Sequence, residues 1–160
     1  MRKKLILSIS IVLSLSVVIT TFYIYRYNNG FIIPNPDKIV VYINGNAIEI
    51  KSDVDFFNEI LRLNNNRTNK RNQQVECSVE LNMIEDIKKD IAVEYIYNNQ
   101  SQFEINSDFF YFTKLLFPLN ESCNEYIIIY NNNEYKSGPI GGIQSGHKLK
   151  AEITRLINRQ

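Results

Sequence analysis

Tryptophan is absent from this chain, and it has one histidine and two cysteines in 160 residues. Those scarcities exclude chemistry. Two cysteines and one histidine cannot complete a four-ligand zinc centre without carboxylates, so no metal is assigned. A basic excess is missing too. The formal net charge is +1. Beyond residue 36 the 18 Lys+Arg, less Arg2, Lys3, Lys4 and Arg26, face all 17 Asp+Glu, a formal charge of −3. Nucleic acid demands a basic face, so the partner is not nucleic acid. "RTNKR" at 67–71 is short and diluted by asparagine; it reads as a solvated loop, with an anionic lipid or wall polymer as the lesser alternative. There is no internal repeat. Three alanines beside abundant Asn, Ile, Lys and Tyr suggest an A+T-rich genome, such as that of a low-GC Gram-positive bacterium.

Charge is also missing from Leu5 to Tyr25, "LILSISIVLSLSVVITTFYIY". At about 1.5 Å per residue this run reaches roughly 30 Å, the thickness of a hydrocarbon core. A cleaved signal has a shorter apolar stretch ending in small residues. Here Phe22, Tyr23, Tyr25 and Tyr27 follow instead, in the manner of an interfacial belt. The run is therefore expected to be a retained transmembrane helix, with an atypical signal peptide as the alternative. Arg2, Lys3 and Lys4 precede it and only Arg26 closely follows. The positive-inside bias puts the N-terminus in the cytoplasm and the rest outside. No cysteine near its end offers a lipidation site.

The expected organisation is a cytoplasmic tip and anchor at 1–27, a linker at 28–36 ("NNGFIIPNP") and one extracytoplasmic domain at 37–160. "KIVVYI" and "AIEI" flank Asn44-Gly45, which suits a type I′ hairpin turn. Ser52 and Asp55 form a capping-box pattern before Val54, Phe57, Ile60 and Leu61, which share a helical face. "NNNRTNKRNQQ" (64–74) has no apolar residue and is expected to be a mobile loop. "VECSVEL" (75–81) alternates as a half-buried strand, and Ile84 and Ile87 give 82–90 a short helix. "IAVEYIY" (91–97) puts Ile91, Val93, Tyr95 and Tyr97 on one strand face, with Glu94 on the polar side like Glu76 and Glu80. "NNQSQ" is expected to turn the chain. "FFYFTKLLF" reads as a strand or buried helix, and "EYIIIY", "NNN" and "EYK" as a hairpin. Leu149, Ile153, Leu156 and Ile157 mark a closing amphipathic helix. The fold class is α+β: after the anchor, one domain with a mainly antiparallel sheet and two or three helices.

"SGPIGGIQSGHK" (137–148) holds four of the six glycines and the only histidine. Gly141 and Gly146 have the spacing of a phosphate loop, but the Lys is one place late and the hydroxyl residue is missing. A serine nucleophile elbow needs glycines two before and two after; Ile143 and His147 flank Ser145 instead. The segment reads as a strand-to-helix turn. Its amides at Gly141, Gly142, Ser145, Gly146 and His147 are the candidate ligand loop, since amides before a helix N-terminus attract anions. Asp53 and Asp55 lack the rest of a calcium loop. Tyr126, Tyr130 and Tyr135 read as core, or as a stacking surface. In an oxidising exterior Cys77 and Cys123 would close a 46-residue loop, stabilising by roughly 4 kcal/mol; otherwise they are buried free thiols.

On "IYNNQSQF", "KLLFPLN" and "YKSGPIGGI", the outer domain resembles uncharacterised small membrane-anchored or lipid-anchored extracytoplasmic proteins of low-GC Gram-positive bacteria, over roughly residues 80–145. The resemblance implies no activity and carries over no functional residue. The expected function is a non-catalytic extracytoplasmic binding module without a cofactor. It would be held to the membrane by Leu5–Tyr25 and engage a protein or envelope partner. The alternatives are an envelope hydrolase or transferase using Ser145 and His147 or carboxylates, and a regulator acting through its span.

Overall fold

The Asn44-Gly45 turn forms as its residues dictate. Asn44 has φ 49° and Gly45 φ 79°, the paired left-handed conformations of a type I′ turn. It joins β1 (Lys38–Ile43) to β2 (Asn46–Ile50) as an antiparallel hairpin. The computed structural model describes residues 13–21, 31–52, 55–68, 73–74, 79–105 and 107–157. They fall into two units, Met1–Gly30 and Phe31–Gln160. In the first, residues 13–21 are helical (α1).

The second unit is α+β. Its main sheet has the order β2-β1-β4-β5-β6-β7 and is antiparallel throughout, with β4 at Ile91–Ile105, β5 at Asp108–Pro118, β6 at Ile128–Asn131 and β7 at Glu134–Tyr135. Asn132 and Asn133, with φ 52° and 63°, close the β6–β7 hairpin. A second pair joins β3 (Gln73–Gln74) to β8 (Ile140–Gly141). Three helices complete the unit: α2 (Asp55–Asn65), α3 (Leu81–Lys89) and α4 (His147–Ile157).

Both faces of the sheet are covered. On one, Ile39, Val41, Val93, Tyr95, Leu115 and Phe117 meet Phe57, Ile60 and Leu61 of α2 and Leu149 and Ile153 of α4. On the other, Ala92, Leu116 and Ile128 meet Ile84 and Ile87 of α3. Residues paired across strands share a face, and the register Glu94↔Leu116↔Ile128 puts Glu94 on the α3 side.

Several expectations are corrected. "NNQSQ" does not turn the chain: it lies inside β4, where a register shift between Ile96 and Ser101 absorbs it as a bulge. The reversal comes later, around Ser107 with φ 73°. β1 pairs β4 only over Ile91–Ile96, and β6 pairs β5 only over Lys114–Leu116. Residues 101–105 and 108–112 are therefore a two-stranded ribbon extending past the sheet. The domain begins at Phe31, not Asp37, because Phe31 and Ile33 are apolar enough to join the core despite the prolines around them. In the expected loop at 64–74, α2 runs through Asn65, and Asn64, Arg67 and Thr68 are buried; polar groups can be buried when their bonds are made. The expected strand at 75–81 does not extend over its described end: 79–80 are not strand, and Leu81 starts α3 and is exposed. Val54 and most of that strand lie outside the described residues, as does much of Leu5–Tyr25. Among the described residues, no helix is long and apolar enough to cross a membrane.

A β-carbon on Gly45 would meet open space, so Gly45→Ala tests backbone strain alone. It should cost about 1 kcal/mol, read as a lower urea midpoint with an unchanged slope.

Candidate functional site

The glycine-rich segment leaves the β7 edge and enters α4. Gly138 and Gly142 take φ 151° and 78°, and between them Ile140 exchanges backbone hydrogen bonds with Ile127. Gly141 sits in β8, opposite Gln73. The Ser145 hydroxyl accepts from the His147 backbone N–H at 3.4 Å, while the His147 side chain is exposed. The Gly146 carbonyl accepts from Lys150 N–H at 2.9 Å, the first turn of α4. The five candidate residues thus lie along one turn, and the serine hydroxyl meets backbone rather than the imidazole.

Beneath this turn lies Arg67, only 4% exposed. Its Nε donates to the Gln144 carbonyl at 3.0 Å and its Nη1 to Asn64 Oδ1 at 2.7 Å. Its Nη2 donates to the Asn124 carbonyl. The Gln144 N–H donates back to the Arg67 carbonyl at 2.7 Å. A β-carbon on Gly146 would sit 2.6 Å from Leu119 Cδ2 and 3.3 Å from the guanidinium carbon, so only glycine leaves room for this approach. The network continues inward: Asn64 Nδ2 donates to the Tyr95 hydroxyl at 2.9 Å, which donates to the Ile60 carbonyl at 3.3 Å. Burial pulls the guanidinium down to about 10, still protonated at neutral pH, and pushes the Tyr95 phenol up. Every donated bond of Arg67 goes to protein oxygen, so its chemistry here is to hold backbone.

A second polar set lies on the α3 face. Glu94 is 2% exposed. Tyr42 donates to its carboxylate at 2.7 Å, Lys88 at 3.1 Å, and Tyr135 donates as well. The Lys88 ammonium lies 4.7 Å from the Tyr42 ring centre and 5.3 Å from that of Tyr135, within cation–π range. Desolvation pushes the Glu94 carboxyl up, but bonds from Tyr135 and Tyr42 and the Lys88 charge outweigh it and hold it below its ordinary value. Burial, with that carboxylate alongside, raises both phenols. The residue expected on a polar strand face is thus an enclosed anion. Tyr130 stacks edge-on to Tyr135 at 4.9 Å, so these two tyrosines pack with each other rather than standing free.

Cys123 is a buried free thiol, and Cys77 lies outside the described residues. Cys123 lines a cavity of about 390 Å³ with Glu80, Met83, Asp86, Ile87 and Ser122. Among the described residues, no group of three His, Cys, Asp or Glu side chains could hold a metal ion. Comparison with protein families, with curated proteins and with solved structures finds no match to this chain.

Sequence reasoning missed both buried charges. For Glu94 a signal existed. The unbroken apolar runs at 115–117 and 127–129 are the mark of strands covered on both faces, and Glu94 shares a face with Leu116 and Ile128. For Arg67 nothing in its polar surroundings distinguishes it from a solvated residue.

Arg67→Ala would leave buried acceptors on Asn124 and Asn64 unpaired and release Gln144 while relieving a buried charge; the net cost should be about 3 kcal/mol, read by urea unfolding. Glu94→Gln should cost about 1–3 kcal/mol near neutral pH. The folded carboxyl lies below its unfolded value, so its stabilisation is present above the ordinary glutamate range and is lost as pH falls through the folded value. Urea melts at neutral and acid pH should show the gap between natural chain and variant narrowing in acid.

Proposed function

We propose that the protein is a single-pass, membrane-anchored binding module. Its N-terminus faces the cytoplasm, and residues 31–160 form a non-catalytic domain that engages a protein or envelope partner outside. The observation that carries this reading is α1. Leu13, Leu15, Val17, Val18 and Ile19 are all exposed around it. Its hydroxyls turn inward: Ser16 donates to the Leu13 carbonyl at 2.8 Å, and Thr20 and Thr21 to the Ser16 and Val17 carbonyls at 2.7 Å. A helix with exposed apolar side chains around it, and with three of its hydroxyls bonded to its own backbone, suits hydrocarbon. These residues fall within the uncharged run Leu5–Tyr25, and Arg2, Lys3 and Lys4 before it favour the stated orientation.

The outer domain supports a binding role through its rigidity. Two opposite charges are buried and fully engaged, and Arg67 fixes the Gly142–His147 turn, where the exposed His147 and Lys148 open α4. That turn is the proposed contact for an anionic or polar group of the partner. Fractionation tests the reading. The full-length chain should sediment with membranes, resist alkaline carbonate and leave only in detergent, and protease added to intact cells or protoplasts should digest residues 31–160. A mature chain found free in the medium and beginning beyond Tyr25 would overturn it.

A further inference from the structure

We infer that the β4–β5 ribbon makes a second contact with the bilayer, with Ile32, Phe109 and Tyr111 seated in the headgroup layer. The inference rests on the membrane-anchored reading above. In the outer domain these are exposed apolar side chains at 79%, 54% and 48%. Phe109 and Tyr111 stand on the face of the ribbon opposite to Phe103 and Phe110, where among the described residues no neighbouring strand flanks it. Glu104 and Gln102 pair with them across the strands.

The attachment of the chain supplies the reason. Phe31 is fixed to this ribbon: its ring lies 4.7 Å from that of Phe103, and Phe103 stacks on Phe110 at 5.7 Å. The backbone around it is pinned as well. Thr68 Oγ1 donates to the Phe31 carbonyl at 2.6 Å, Ile33 N–H to Asn65 Oδ1 at 2.9 Å, and Tyr97 to the Pro34 carbonyl at 2.8 Å. From Tyr25, the last residue of the expected span, to Phe31 is six residues, which reach roughly 20 Å at most. A domain of 130 residues is roughly 35 Å across. The tether is shorter than the domain is wide, so Phe31 cannot lie on the far side of the domain, and the ribbon packed on it stays within reach of the membrane surface. Aromatic and apolar side chains held at that depth partition into the interface.

Charge argues that apolar partition drives the contact. Glu104 and Asp108 are the charged residues of the ribbon, and both would be repelled by anionic lipid. Docking therefore needs no anionic lipid and survives high salt.

The natural chain has no tryptophan, so Phe109→Trp places a unique reporter at an exposed position that the fold tolerates, and Tyr111→Trp serves as a second. The full chain is reconstituted in phosphatidylcholine vesicles with or without brominated acyl chains, and vesicle flotation is measured on the same samples. The expected result is flotation together with about twofold quenching of the indole by brominated lipid, unchanged by high salt. A chain that floats with an unquenched, water-like indole overturns the inference and leaves the anchor standing. A blue-shifted but unquenched indole also overturns it, since protein, such as a second copy, then covers the ribbon. A chain that fails to float removes the anchor and this inference with it.

Discussion

The domain at Phe31–Gln160 depends on one buried cation with no carboxylate bonded to it. Arg67 gives up hydration, a cost normally offset by an ion partner, and recovers it from fixed oxygens on three separate parts of the chain. Asn64 is the end of α2, Asn124 lies between β5 and β6, and Gln144 is the approach to α4. The last two of these segments lie outside helices and strands. The guanidinium bonds all three, and its planar fork is what allows a single side chain to do so. The absence of a side chain at Gly146 follows from this, since a β-carbon there would press on the same group.

The sheet separates this cation from an anion on the other side. Glu94 is one residue from Tyr95, and alternation sends the two side chains to opposite faces. Tyr95 ends the hydrogen-bonded path from Arg67, while Glu94 is enclosed by Tyr42, Tyr135 and Lys88. Each buried charge holds a covering layer: Arg67 bonds α2 and the approach to α4, and Glu94 ties α3 to the sheet through Lys88. The helix α3 buries only Ile84 and Ile87, so its ion pair and ring contacts supply orientation that so small an apolar face would leave loose. Among the described residues, no buried side-chain nitrogen or oxygen lacks a partner, which is the condition for such charges to be retained.

Local chemistry was legible in the residues, and long-range chemistry was not. Asn44-Gly45 and the asparagines at 132 and 133 require positive φ and take it. Phe57, Ile60 and Leu61, and Leu149 and Ile153, show helical spacing and fill the core. Composition failed where a polar residue found a partner far along the chain. Arg67 bonds residues 57 and 77 positions away, and no window around it contains them. "NNQSQ" failed for a related reason: its turn-forming residues are overruled by pairing of β4 with β5 on both sides of the bulge. The prolines near Phe31 hid an apolar pair whose ring and hydrogen-bond partners are Phe103, Thr68 and Asn65. Of the candidate site, the turn into α4 was foreseen at Gly146 and His147, and its base was not.

Two adjacent residues connect the start of the domain to that turn. Thr68 holds the Phe31 carbonyl, and Arg67 exchanges backbone and side-chain bonds with Gln144. The place where the chain comes off its apolar N-terminal run and the place where α4 begins are therefore fastened to the same dipeptide. A domain attached through a loose linker would let these two regions move independently. Here, displacing the Gly142–His147 turn requires Arg67 to shift or to lose bonds in a closely packed interior, and any shift reaches Phe31 through a single peptide unit. The Gly142–His147 turn and the start of the domain at Phe31 are thus coupled through one peptide unit.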